Sequence, residues 1–337
     1  MTTPLVLTVV LNYRTAAMTE QAVAAAVRAM EGIDGEIVVV DNDSGDGSFD
    51  HLVRAVRAAG WSRVRVVESG RNGGFGAGNN FGIRTGLSDG RRPDYVYLLN
   101  SDAFPAPDAI RILVEALESR PQVGFAGSHI HGPDGEPHNT AFRFPTVWSE
   151  LEEAACTGPV TRLLARHVVS LPLPREIAPV DWLAGASLFM RRAALDEIGL
   201  FDEGYFLYYE ETDLCLRAGR AGWPTIYVPE SRVAHIGSAS TGMKSWRRTP
   251  RYWFDSRLRY FTKNHGATYA AAATLARLAG GALAEARRLA ARRPTERPRF
   301  LRDLAAHALG VMLRPAARTR PKQDDDAAPQ IPSRSAP

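Results

Sequence analysis

Apolar residues fall along the first hundred positions in short unbroken runs: Leu5 to Leu11, Ile37 to Val40, Val64 to Val67 and Tyr95 to Leu99. Three of them stop at polar residues, namely Asn12-Tyr13-Arg14, Asp41-Asn42 and Asn100-Ser101-Asp102. Helical stretches lie between the runs, from about Thr19 to Met30 and from about Ser48 to Ala59. Short apolar runs bounded by turn residues and separated by helices predict a parallel sheet buried on both faces. Right-handed crossovers then give an open α/β sheet, with ligands beyond the carboxyl ends of its strands. The polar strand ends predict a crevice for a polar ligand at that edge.

The second half is less regular. Val123 to Ile130 reads as a strand and Gly132-Pro133-Asp134-Gly135 as a turn. The stretch from about Trp148 to Pro179 is irregular, helical in part, and is where acceptor contacts are expected. Asp181 to Ala186 leads into a strand ending near Met190, followed by a short helix to Ile198. Glu210 to Ala221 reads as a helix closed by Gly222, and Thr225 to Val228 and Val233-Ala234 as two further short strands. Beyond about Ala267 the chain turns to Ala, Leu and Arg. Leu275, Leu278, Ala282, Ala286 and Leu289 recur at helical spacing beside Arg287, Arg288, Arg292 and Arg293, and a second amphipathic stretch runs from Phe300 to Leu313. The tail after Arg314, rich in Pro and charge, is expected to be disordered. The expected layout is a main domain over 1–265, a basic helical extension over 266–314 and a tail over 315–337. Within the main domain, 1–102 is the nucleotide-binding half and 103–265 the acceptor and catalytic half.

Composition changes this picture little: 45% hydrophobic and 23% charged residues in 337 are ordinary for a globular chain. The formal net charge of +4 comes largely from the segment after Arg277, so the front half offers no nucleic-acid groove. Cys156 and Cys215 stand far apart without metal-ligand neighbours, which argues against a disulfide framework and fits a reducing compartment. No apolar run approaches the ~20 residues that span a bilayer, and Met1-Thr2-Thr3-Pro4 runs straight into a strand without a basic leader. A cytoplasmic protein is expected. The Arg-rich C-terminal stretches admit two readings. One is peripheral attachment to an anionic membrane, at its inner face, where a lipid-linked acceptor would be presented. The other is a helical pair packed on the main domain or on a second subunit of a homo-oligomer.

Five groups of residues carry candidate chemistry. Asp41 ends the second strand, where a carboxylate can accept from nucleoside N–H groups or ribose hydroxyls; a turn-forming Asp would look the same. The run from Arg71 to Gly82 holds Gly73, Gly74, Gly76 and Gly78, which let backbone approach a ligand while the next helix aims N–H groups at it. Its spacing and its place after the third strand argue against a dinucleotide fingerprint. Asp102 follows the fourth strand, where a carboxylate can hold Mg²⁺ or Mn²⁺ bridging two phosphates. Glu210, Glu211 and Asp213 crowd the first turn of a helix, just after a dense aromatic run from Tyr205 to Tyr209. Glu210 and Asp213 share one face, Glu211 lies about 100° around, and a carboxylate among aromatics suits a general base. His235 follows a strand and could complete the coordination begun at Asp102.

In this order the motifs resemble those of the inverting family 2 glycosyltransferases, and within them the rhamnosyltransferase-like branch. The motifs are Val39-Val40-Asp41-Asn42, Asn72-Gly73-Gly74-Phe75 with Asn79-Asn80 and Gly82, Leu98-Leu99-Asn100-Ser101-Asp102, Gly185-Ala186, and Phe201-Asp202-Glu203 with Tyr209-Glu210-Glu211-Thr212-Asp213-Leu214. The match covers about Leu5 to Gly242.

The resemblance implies a GT-A fold with a mostly parallel twisted sheet. It places a nucleotide sugar against Leu11, Tyr13, Asp41, Asn72, Gly73, Asn80, Ser101 and Asp102, and a metal on Asp102 and His235. It makes Glu211 the catalytic base, with Glu210 and Asp213 beside it. Asn100 stands where the family's first metal-site Asp is, and Glu211 where its basic Asp is, so the base stays open among the three carboxylates. By analogy the donor is dTDP-L-rhamnose and the acceptor a glycan or lipid-linked sugar of cell-envelope polysaccharide synthesis. A non-catalytic sugar-nucleotide-binding or scaffold protein is the alternative, and would not need the carboxylates at 210–213.

Overall fold

The computed structural model describes residues 4–237, 246, 248–292 and 299–313. Four parallel strands form the first half of the sheet: β1 (Leu5–Asn12), β2 (Asp34–Asp41), β3 (Val64–Glu68) and β4 (Tyr95–Asn100). They are joined through α1 (Ala16–Ala29), α2 (Ser48–Ala58) and α3 (Phe75–Thr85). Side chains alternate across β1, as a strand's period of two requires. Val6 and Val10 join one core layer with Val39 and Leu99, while Leu7 and Val9 join the opposite layer with Val40 and Leu98. Both faces are therefore covered, and the unbroken apolar runs follow from that.

The second half adds β5 (Ala103–Pro105), α4 (Ala109–Glu118), β6 (Phe125–His131), β7 (Ala141–Phe142), α5 (Val147–Ala155), α6 (Gly158–Leu163), β8 (Ala178–Val180) and β9 (Trp182–Leu183). It continues through β10 (Ser187–Arg191), α7 (Arg192–Ile198), α8 (Glu210–Arg220), β11 (Thr225–His235), α9 (Arg251–His265), α10 (Ala267–Ala290) and α11 (Phe300–Met312). The nine-stranded sheet runs β3-β2-β1-β4-β10-β6-β11-β5, with β8 also on β11 and a separate β7-β9 pair. β10 is antiparallel to both β4 and β6, while β6 and β11 are parallel to each other. β1, β2, β4 and β11 thus end at the same edge, and β10 begins there. That edge gathers Asn12, Asp41, Asn100, His235 and Ser187 from segments far apart in sequence.

One expectation needs correction. The short strands at 225–228 and 233–234 are one strand, β11, whose pairing with β6 shifts register between Val228 and Arg232. The stretch 148–179 is helical in part, as expected, with α5 and α6 followed by irregular chain up to β8. The start of the expected C-terminal extension is tied into the main domain by a buried ion cluster. Glu150 of α5 is 2% exposed and accepts from Arg257 Nε of α9 at 2.8 Å and Arg277 Nη1 of α10 at 3.1 Å. Arg257 Nη1 also donates to Thr274 Oγ1 at 3.1 Å. The tail expected to be disordered lies outside the described residues.

Candidate active site

A cavity of about 500 Å³ opens at the edge where the strands end. Leu11, Tyr13, Asn42, Asn72, Ser101 and Asp102 form one side. Glu210, Glu211 and the aromatic residues Phe206, Tyr208 and Tyr252 form another, and His235 also reaches it. Asp102, Glu211 and His235, remote in sequence, therefore share one cavity.

Asp41 does not line it. Its Oδ1 accepts from Asn12 Nδ2 and Ser44 Oγ, both at 2.6 Å, and its Oδ2 from Ser44 N at 3.1 Å. It braces the ends of β1 and β2, while its neighbour Asn42 faces the cavity. Asn42 Nδ2 donates to Asn72 Oδ1 at 3.1 Å, and Gly74 N donates to the same oxygen at 3.0 Å, which fixes the turn before α3.

The glycine run packs protein against protein. A Cβ on Gly74, whose φ is +90°, would lie 1.9 Å from the carbonyl oxygen of Phe206, and one on Gly78 would lie 2.5 Å from Leu11 Cδ1. These close approaches let α3 seat against β1 and hold the 201–209 segment, whose Phe206 carbonyl accepts from Phe75 N at 2.9 Å. Gly73 and Asn80 stay out of the cavity lining. Asn80 is fully buried; its Nδ2 donates to Phe201 O at 2.9 Å, and its Oδ1 accepts from Phe201 N at 3.0 Å.

Asp102, 3% exposed, follows β4 and meets His235 at the end of β11, with Oδ1 3.0 Å from Nε2. No cluster of three metal-ligating side chains occurs among the described residues. A carboxylate and an imidazole facing one cavity still suit a Mg²⁺ or Mn²⁺ whose other ligands are donor oxygens and water. Ser101, buried in the same lining, accepts from Thr15 Oγ1 at 3.1 Å.

Only the first turn of α8 reaches the cavity, and Glu210 and Glu211 both do so despite their angular separation. Glu210 is 2% exposed; its Oε2, like that of Glu211, has no hydrogen-bond partner among the described residues. Burial lifts the Glu210 carboxyl well above the ordinary range, and the neighbouring Glu211 charge lifts it further. Burial also raises Glu211, opposed by the Gly185 N–H, which lies 3.4 Å from Glu211 Oε1. Two raised carboxyls side by side resist a second charge, so the pair holds a proton between them.

Asp213 turns the other way. It is fully buried and takes Lys263 Nζ at 2.8 Å, Asn264 Nδ2 at 2.9 Å, Arg217 Nε at 2.9 Å and Tyr205 Oη at 3.2 Å. Burial alone would raise its pKa, but the bonds from Lys263, Asn264 and Arg217 prevail and hold it low. It anchors α8 to α9 and does not line the cavity. Sequence reasoning passed over Tyr252 in α9 and the lining role of Asn42; the aromatic density before Glu210 was the one signal of the ring wall.

A carboxyl whose folded pKa is raised binds its proton more tightly when folded. Stability is then full below the ordinary carboxyl range and is lost as pH rises through the raised folded value. Glu210→Gln removes that loss. Its melting temperature should exceed that of the unaltered protein at pH 8 by about 2 °C or more, and the gain should vanish near pH 4. A gain that persists at acid pH would show a cause other than the buried charge.

The architecture is that of a sugar transferase of the GT-A fold. The chain resembles in structure a mannosyltransferase from Pyrobaculum calidifontis solved with GDP-Man and Mn²⁺, with a TM-score of 0.57 and 18% identity over 93% of this chain and 81% of that one. Residues 4–271 match the model of glycosyltransferase-like family 2, and the chain belongs to that family. It is 33% identical over 217 residues, 61% of this chain and 68% of the relative, to the N-acetylglucosaminyl-diphospho-decaprenol L-rhamnosyltransferase of Mycobacterium tuberculosis. It is also 28% identical over 170 residues, 48% of this chain and 60% of the relative, to the rhamnosyltransferase WbbL of Escherichia coli. The chain is thus a glycosyltransferase with rhamnosyltransferases among its relatives, as its motif order implied.

Proposed function

We propose that the cavity binds a nucleoside diphosphate sugar and that Glu211 deprotonates an acceptor hydroxyl which displaces the diphosphate with inversion. The observation carrying this reading is the convergence of Asp102 and His235 with the Glu210–Glu211 pair on one cavity. The nucleoside lies against Leu11, Tyr13, Asn42 and Asn72, with Asp41 bracing that end from beneath. The diphosphate points toward Asp102 and His235, which would hold a Mg²⁺ or Mn²⁺. Such an ion, when bound, neutralises charge on the departing diphosphate.

In the displacement the acceptor O–H proton passes to the Glu211 carboxylate and the oxygen forms a bond to the anomeric carbon. The bond from that carbon to the phosphate oxygen breaks, and its electron pair leaves with the diphosphate. With the proton of the pair on Glu210, no second charge stands beside the nucleophile.

Similarity to the two rhamnosyltransferases supports L-rhamnose as the sugar transferred, and the motif resemblance supports dTDP-rhamnose as its donor. The mycobacterial relative's name supports a lipid-linked acceptor. None of the described helices is long and apolar enough to cross a membrane. Leu275, Leu283 and Leu289 are exposed on α10, whose last turn carries Arg287 and Arg288, and Leu309 and Leu313 are exposed on and just beyond α11, which supports contact with an anionic membrane surface.

Binding of nucleotide sugars should be screened calorimetrically with and without Mn²⁺. dTDP-rhamnose should bind most tightly, and removing the ion should weaken it by about tenfold or more, about 1.4 kcal/mol. Equal binding with and without the ion would remove the metal from this reading. Failure of every nucleotide sugar to bind would remove the donor site itself.

A further inference from the structure

One wall of the cavity is made of aromatic rings, and it stands beside the acid pair. Phe206 and Tyr252 have ring centroids 5.4 Å apart, and Tyr208 lies nearly parallel to Tyr252 at 6.4 Å and 19°. Trp246 meets both tyrosines edge-on, at 5.7 Å and 6.0 Å, and holds their rings in place. Phe206 lines the cavity and is 41% exposed, a high value for a large apolar side chain.

The backbone carrying this wall is strained. Tyr208 and Tyr209 both adopt left-handed conformations, with φ of 71° and 69°. Bulky side chains disfavour that region by about 1–2 kcal/mol each. The consequence is a division of two adjacent tyrosines. Tyr208 faces the cavity, whereas Tyr209 turns back into the core, with its ring 5.4 Å from that of Tyr260. Glu210 follows immediately and opens α8. Two strained residues thus set an aromatic surface and a base at a fixed spacing, and the packing of Tyr209 holds that spacing.

We propose that Phe206, Tyr208 and Tyr252 form the acceptor subsite, and that it takes a pyranose ring by its C–H face with a hydroxyl turned toward Glu211. This inference rests on the donor reading above, because that reading assigns the strand ends to the nucleotide and leaves this wall to the second substrate. A pyranose is apolar on its ring face and polar at its rim. A tilted aromatic surface bordered by carboxylates matches both features at once. A hydrocarbon chain on the same wall would lie against the acid pair with nothing to offer it. The sugar of a lipid-linked acceptor therefore belongs here, with its lipid beyond the mouth.

The test uses the full chain with saturating dTDP and Mn²⁺, and probes binding of the octyl glycosides of N-acetylglucosamine, galactose, mannose and rhamnose by saturation-transfer NMR. At least one should bind, with its ring C–H protons receiving more saturation than its octyl chain. Tyr252→Ala should weaken that glycoside by about tenfold, Tyr252→Phe should leave it within about twofold, and dTDP affinity should hold in both variants. The proposal is overturned if dTDP binds and no glycoside does, if the octyl chain receives the saturation, or if Tyr252→Ala weakens dTDP instead. Loss of dTDP binding by the unaltered protein would fault the donor reading and not this wall.

Discussion

Replacing Glu211 by Gln should lower sugar transfer by about 10²–10⁴-fold, the contribution of a positioned general base, while nucleotide affinity stays within about twofold. Gln preserves the size of the side chain and can still accept from the Gly185 N–H, so the geometry around β10 and α8 survives. What it loses is the ability to take a proton from the acceptor. The fold should not suffer, because the variant removes a charge that burial already disfavours. The pH dependence follows from the same physics. The base must be ionised to act, and its pKa is raised, so the acid limb of the kcat profile should lie above the ordinary carboxyl range of about 4.3. Initial rates over pH 4 to 9 measure both effects. Full transfer by Glu211→Gln would move the base to Glu210, whose Oε2 also lacks a hydrogen-bond partner among the described residues.

The largest stability effect should come from Glu150→Ala. Glu150 is the shared acceptor of two arginines that are themselves nearly inaccessible, Arg257 at 1% and Arg277 at 7% exposure. Removing it leaves Arg257 buried with Thr274 as its remaining hydrogen-bond partner among the described residues, while Arg277 keeps Glu153. Breaking a buried ion pair from one side costs about 3–5 kcal/mol. Denaturant unfolding should show that loss, and α5, α9 and α10 should loosen together. A change below about 1 kcal/mol would mean that water reaches the cluster and satisfies the arginines. Because α9 carries Tyr252 and the Lys263 anchor of Asp213, the same variant should also reduce activity.

The first half of the fold was readable because its strands are apolar on both faces and its ligand-bearing residues sit at strand ends. Asp102 and the Glu210–Glu211 pair could be found from their places after a strand and at a helix start. α9 could not. Its buried face includes Ser256, Arg257 and Tyr260 along with Phe254 and Phe261, so no apolar stripe marks it. Arg257 is acceptable there only because Glu150, 107 positions away, meets it. The glycine run misled for a related reason. Glycine reports that something comes close, and here that is the Phe206 backbone and Leu11, which the local sequence does not reveal. Asp213 shares its helical turn with Glu210 and Glu211, and only the distant Lys263 and Asn264 set it apart from them.

Sugar transfer by this protein requires that one cavity hold the donor and the base together. A crystal structure of the protein with Mn²⁺ and the nucleoside diphosphate chosen by the binding screen tests it most directly. The diphosphate should lie at Asp102 and His235, the nucleoside against Leu11, Tyr13 and Asn72, and the open end of the diphosphate should face Glu211. A nucleotide bound elsewhere, away from Asp102 and His235, would contradict the account.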